Sequence, residues 1–176
     1  MTRIRFHTLR SEQWVPRPLD EVFTFFSDAK NLDRITPPWL NFQILSVDSD
    51  PIHAGSEIRY RLLWHGIPIR WKTEIRRWDA PHLFIDIQRS GPYRLWHHTH
   101  RFEADGEGTK ISDLVRYALP FGWLGRVVHA WTVRKDVESI FAYRKTKTDE
   151  LFASARENAV SEGSDAGIGK VAMPVR

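Results

Sequence analysis

Two short stretches, WHHTHRF (96–102) and ISDLVRY (111–117), carry the side chains best suited to chemistry. Side chains alternate along a strand, so Trp96, His98, His100 and Phe102 share one face, and Ile111, Asp113, Val115 and Tyr117 share a face of the next strand. Each stripe is apolar at its ends and polar in its middle, the pattern of a lined pocket. Two histidines two residues apart stand ~7 Å apart along a strand, close enough to converge on one metal, with Asp113 as a third ligand or as an orienting partner. A bare H-x-H is common, and we read the pair as hydrogen-bonded pocket residues with no metal and no cofactor. A buried His–Asp pair has a second use. The carboxylate fixes the imidazole tautomer, His98 or His100 then moves a proton on or off a bound carbonyl or phenol, and Tyr117 donates to the resulting oxygen. The same network also serves merely to orient a polar group on an otherwise apolar ligand, since buried polar groups must be paired. His97 falls on the opposite face with Arg101, at the surface.

These faces need a scaffold. The spacing predicts a first strand over residues 3–15, bulged and ending at Pro16, then a short helix with Asp20 and Glu21 in its first turn and Val22, Phe23 and Phe26 on its apolar face. It ends near Ser27–Asp28; a second short helix covers about 29–35 and stops at Pro37–Pro38. Strands follow in LNFQILSV, with Leu40, Phe42 and Ile44 on one face; in GSEIRYRLLW, with Ile58, Tyr60, Leu62 and Trp64 inward; and in IRWKTEIRRW, with Ile69, Trp71, Thr73 and Ile75 inward. HLFIDIQR is ambiguous, and burial alone turns Ile85 and Ile87 inward rather than Asp86 and Gln88. The strand containing Trp96 comes next, and the tight turn DGEG leads to the last strand. After Pro120 helical spacing takes over, with Leu124, Val127, Val128, Trp131, Val137, Ile140, Phe141 and Leu151 apolar and Arg134, Lys135, Glu138, Arg144, Lys145 and Lys147 polar. Residues 156–176 lack any period and read as a disordered tail. One strand, two short helices, six strands and a long helix leave no room for βαβ crossovers. The fold class is α+β, a curved antiparallel seven-stranded sheet wrapped around a long C-terminal helix, with a cavity between them.

The 176 residues suit one domain. The 26 basic and 22 acidic side chains are interspersed, giving +4 without a basic stripe, so no nucleic-acid partner is expected. Cysteine is absent, which excludes disulfides and thiolate sites. With no apolar run near the ~18 residues that cross a bilayer and no signal-like start, we expect a cytoplasmic protein without stable membrane insertion. Of the eight tryptophans, Trp64, Trp71, Trp96 and Trp131 fall on inward stripes, where they stack on an aromatic ligand or fill volume; Trp39 edges the mouth of the pocket.

FFSDAKNLDRITPPWLNFQIL, GIPIRWKTEI, FIDIQRSGPYRLWHHTHRF and GTKISDLVRYALPFGWLG, followed by an amphipathic helix with IFAYR, resemble the START-like helix-grip superfamily, also called SRPBCC, and within it the bacterial polyketide cyclase/dehydrase-type ligand-binding proteins. The resemblance covers residues 3–153, and the domain is bounded at 1–155. It implies a deep cavity between sheet and last helix that holds a hydrophobic or aromatic, lipid- or polyketide-like molecule for sequestration or transport. The matching positions are Trp71, Thr73, Asp86, Gln88, Trp96, His98, His100, Phe102, Asp113 and Tyr117; the inward stripes add Tyr60 and Trp131. The family pattern turns Asp86 and Gln88 inward, against the burial argument, and both assignments stay open. If it holds, Ile85 and Ile87 face outward and offer a surface for a homodimer. The alternative to a carrier is a cyclase/dehydratase-type enzyme working through His98, His100, Asp113 and Tyr117.

Overall fold

The computed structural model describes residues 6–120 and 132–165, with side chains to residue 153. Seven antiparallel strands form one sheet: β1 (His7–Val15), β2 (Gln43–Val47), β3 (Glu57–Trp64), β4 (Ile67–Asp79), β5 (Leu83–Ser90), β6 (Leu95–Asp105) and β7 (Gly108–Ala118). Their spatial order is β1-β7-β6-β5-β4-β3-β2, so only β1 is out of sequence. Helix α1 (Leu19–Ser27) and helix α2 (Arg134–Asp165) lie against the inner face. Among the described residues, no helix is long and apolar enough to cross a membrane.

β1 pairs with β7 in unbroken register from His7↔Tyr117 to Val15↔Thr109, so among the described residues the expected bulge is absent. The bulges are elsewhere, between β2 and β3 at Ile44/Ser46 and between β4 and β5 at Lys72/Thr73 and Ile75/Arg77. Bulges bend a strand and sharpen its twist, which curls this half of the sheet around α2. The second β4–β5 bulge also resets the alternation. Ile69, Trp71, Thr73 and Ile75 point inward as expected, and beyond Arg76 it is Trp78 that turns in.

The ambiguity in β5 resolves toward Phe84, Asp86 and Gln88 inward. Neighbouring strands fix the face: Phe84 pairs with His100 and Asp86 with His98, whose side chains are buried. Ile85 and Ile87 are therefore outward and half-buried, set between Arg77 and Thr99 and between Glu74 and His97, respectively. The apolar surface they offer a second copy is interrupted on both sides.

The expected second short helix is instead a pair of 3-10 turns, Ala29–Asn31 and Asp33–Ile35, with a third at Pro38–Leu40. Single side-chain bonds mark the two ends of the pair: Asp28 caps the first turn by accepting from Lys30 N, and the Thr36 hydroxyl donates to Leu32 O at 2.6 Å after the second. The last helix runs past Arg156 to Asp165, so the expected disordered tail is helical in its first part. Its 32 residues span ~48 Å. Leu124, Val127, Val128 and Trp131 lie outside the described residues.

Two apolar clusters hold the molecule together. One gathers Val15, Val22, Phe23, Phe84, Phe102, Ile111 and Phe152, which seats α1 and the far part of α2 on the sheet. The other gathers Val115, Tyr117, Val133, Val137 and Phe141, with Trp64, Tyr93 and Trp96 packed on it. On β6 and β7 the two clusters are separated by His98, His100 and Asp113.

Candidate functional site

A cavity of about 470 Å³ lies between the sheet and α2 and is lined mostly by apolar side chains. Its sheet wall carries Ile58, Tyr60, Leu62 and Trp64 from β3, Ile69, Trp71, Thr73 and Ile75 from β4, and Phe84 and Asp86 from β5. Trp96, His98 and His100 of β6 complete that wall; α2 contributes Asp136, Val137, Ile140, Phe141 and Arg144. The 3-10 turns close one end with Leu32, Ile35 and Leu40. Aromatic rings interlock along the wall: Tyr60 stacks on Trp71 at 5.8 Å, and Trp96 meets Trp71 edge-on at 5.2 Å. The Tyr60 hydroxyl bonds Thr73 Oγ1 at 3.1 Å, and burial pushes its pKa far above the usual phenol value.

One polar assembly interrupts this lining. His98 and His100 stand side by side on β6 with ring centroids 3.7 Å apart, flanked by Asp86 of β5 and Asp113 of β7. His98 Nε2 lies 2.9 Å from Asp113 Oδ1, and its Nδ1 lies 3.3 Å from Asp86 Oδ2. His100 Nε2 lies 3.0 Å from Asp86 Oδ2, and its Nδ1 lies 3.0 Å from Asp113 Oδ1. Each carboxylate thus spans both imidazoles. All four side chains are at most 15% exposed. Phe84 stacks on His100 at 4.1 Å and Phe141 of α2 meets His98 edge-on, so apolar rings seal the quartet above and below.

Burial by itself raises a carboxyl pKa; here hydrogen bonds from His100 and His98 outweigh it and hold Asp86 and Asp113 well below the ordinary range. Burial by itself lowers an imidazole pKa, and the bonds to Asp113 and Asp86 reverse that for His98.

The structure brings Tyr60, Trp71, Thr73, Asp86, Trp96, His98 and His100 to the cavity wall. Four expected site residues take other places. Asp113 sits behind the histidines. Gln88 clamps the β5–β6 turn, donating to Tyr93 O at 2.6 Å and accepting from Tyr93 N. Phe102 is fully buried in the α1 cluster. Tyr117 pairs with Trp96, one inward position beyond His98, and packs among Tyr93, Trp96 and His7 in the other cluster rather than on the wall. Trp131 lies outside the described residues. Trp39 is 58% exposed and meets Tyr143 of α2 edge-on.

Two wall residues belong, by sequence alone, to the polar helix face. Asp136 accepts from Trp64 Nε1 at 2.7 Å and pairs with His65 at 3.0 Å; Arg144 lies over the Phe141 ring. Spacing marks both positions, since Asp136 precedes Ile140 by four and Arg144 follows it by four, which places them on the same stripe.

A strongly curved sheet gripping one long helix around a lined cavity defines the START-like, or SRPBCC, class. Comparison with known proteins agrees: residues 7–146 match the family described as polyketide cyclase / dehydrase and lipid transport, and the chain belongs to it. No curated protein matches. Among solved structures, a norcoclaurine synthase point mutant from Thalictrum flavum, in complex with a transition-state analogue, is 14% identical, with TM-score 0.68 over 89% of this chain and 99% of that one. The major latex-like protein 151 of Panax ginseng is 11% identical, with TM-score 0.60 over 84% and 97%. A Thermus thermophilus protein is 21% identical, with TM-score 0.58 over 80% and 96%. At these identities the likeness is one of fold.

Proposed function

We propose that this protein binds a hydrophobic or aromatic small molecule, lipid- or polyketide-like, in the cavity between sheet and α2, and sequesters or carries it in the cytoplasm. The observation that carries the reading is the lining: a 470 Å³ space walled by aromatic and aliphatic groups with a few convergent polar ones has the size and character of a small-molecule site. Trp71, Tyr60 and Trp96 offer flat faces to an aromatic ring, and the His98/His100 edge offers a partner to one oxygen of the ligand. Membership in a family whose description includes lipid transport supports the same reading.

Native mass spectrometry of the purified protein, followed by denaturing extraction, tests it. A retained organic molecule of apolar or aromatic character is the expected result; a chain that takes up no apolar probe, with its cavity filled by its own side chains, overturns it.

A second reading has its own support. Two buried histidines backed by two carboxylates and facing a cavity form an acid–base network of the kind a cyclase or dehydratase needs, with the quartet in place of the His/Asp/Tyr set. His98→Gln separates the two. A carrier changes mainly in affinity, whereas an enzyme loses turnover by on the order of 10²-fold or more.

A further inference from the structure

The geometry points to a divalent transition-metal site, suited to Zn²⁺ or Fe²⁺, formed by Asp86, His98 and His100 at the cavity wall, with Asp113 as the carboxylate that orients both imidazoles. The expectation of no metal weighed the two histidines with Asp113 alone as a third ligand; Asp86 changes the arrangement. One donor atom from each of Asp86, His98 and His100 lies within 4.8 Å of the others. Asp86 Oδ2 is 3.3 Å from His98 Nδ1 and 3.0 Å from His100 Nε2. Ligands bound tetrahedrally at ~2.0–2.1 Å have donor atoms ~3.3 Å apart, so the two separations from Asp86 are close to the edges of such a site.

The other nitrogen of each histidine faces Asp113 Oδ1, at 2.9 Å from His98 and 3.0 Å from His100. That is the carboxylate–histidine–metal arrangement, in which the distal N–H is fixed by a carboxylate while the proximal nitrogen ligates. Here one carboxylate serves two histidines. Asp113 is set behind them, whereas Asp86, His98 and His100 all line the cavity, so the remaining coordination position opens toward a bound molecule. Charge agrees as well: two aspartates with two neutral imidazoles sum to −2, which a divalent ion cancels in a site too buried to leave that charge uncompensated. Two imidazoles and a carboxylate suit zinc and iron, and an ion with one open position polarises a carbonyl or phenol oxygen delivered from the cavity.

The test is equilibrium dialysis of the full chain against Zn²⁺ and against Co²⁺, with metal counted per chain and the visible spectrum of the Co²⁺ form recorded. The expected result is one ion per chain and the intense ligand-field bands of four-coordinate cobalt, bleached by added Zn²⁺. His100→Gln and Asp86→Asn should abolish those bands, while Asp113→Asn should keep them and weaken affinity by on the order of 10–100-fold. Near-UV circular dichroism confirms that each variant is folded, and the wild-type count needs no variant. Substoichiometric metal in the wild type, or cobalt bands unchanged in folded Asp86→Asn, overturns the site. A metal-free protein that still retains an organic molecule overturns the ion while leaving the binding reading intact.

Discussion

The His98–His100–Asp86–Asp113 quartet joins three strands through side chains alone, and its protonation sets its worth to the fold. In the metal-free protein, Asp86 and Asp113 have pKa values lowered from 3.8, so their contribution is present above that value and lost as pH falls through their folded values. His98 is raised from 6.5, so its contribution is complete below 6.5 and lost as pH rises through its folded value. The groups facing His98 are Asp113 of β7, Asp86 of β5, His100 of β6 and the uncharged Phe141 of α2. Thermal melts across pH should therefore peak between 3.8 and 6.5, falling on each side by up to ~1.4 kcal/mol per pH unit for each proton bound differently in the unfolded chain. His98→Gln should flatten the alkaline side of that peak. The histidines and Asp113 were legible in the sequence because a period of two is unambiguous inside a hairpin with a tight turn. Asp86 was legible only in part, because burial alone favoured Ile85 and Ile87 while the family resemblance turned Asp86 inward, and the register of the neighbouring strands decides which face it takes.

At the scale of elements, β6 shows how one strand divides its duties. Phe102 anchors the α1 cluster, the histidines line the cavity, and Trp96 joins the opposite cluster. Phe102 is 0% exposed, so Phe102→Ala should cost about 3–5 kcal/mol, read from the urea midpoint. The β6–β7 turn makes a tighter demand. A Cβ at Gly108 would collide with the Trp14 ring and the Val15 carbonyl of β1, so Gly108→Ala should destabilise by about 1–3 kcal/mol even though alanine is otherwise harmless in a strand. The strands and α1 were readable from periodicity and turn residues, since each half-buried element repeats its own pattern. The 3-10 turns were not, because they depend on single side-chain bonds from Asp28 and Thr36 that leave no period. Nor was the bulge at Arg76, which shows only in how β4 and β5 align.

At the scale of the molecule, the sheet and α2 form two jaws tied at both halves of the sheet, by Trp64 and His65 to Asp136 beyond β3 and by a longer series of bonds beside β1. Gln13 of β1 donates to Lys145 O at 3.1 Å and to Asp149 at 2.8 Å, Lys145 returns a bond to Glu12 O, and Arg17 reaches Phe152 O at 3.2 Å. A ligand that fills the cavity binds both jaws and only in the folded state. At a hundredfold excess over Kd it should add about 2.7 kcal/mol, raising Tm by roughly 5–11 °C for a chain of this size, and a thermal-shift screen of aromatic and lipid-like compounds reads this directly. The strand order has a separate consequence, for synthesis on the ribosome. Of the seven strands β1 leaves the tunnel first, yet among the described residues its strand partner is β7, ending at Ala118. At ~5–20 residues per second, about 100 further residues keep β1 waiting for roughly 5–20 s. During that interval its unpaired edge, carrying Leu9, Trp14 and Val15, is open to chaperones and to neighbouring nascent chains.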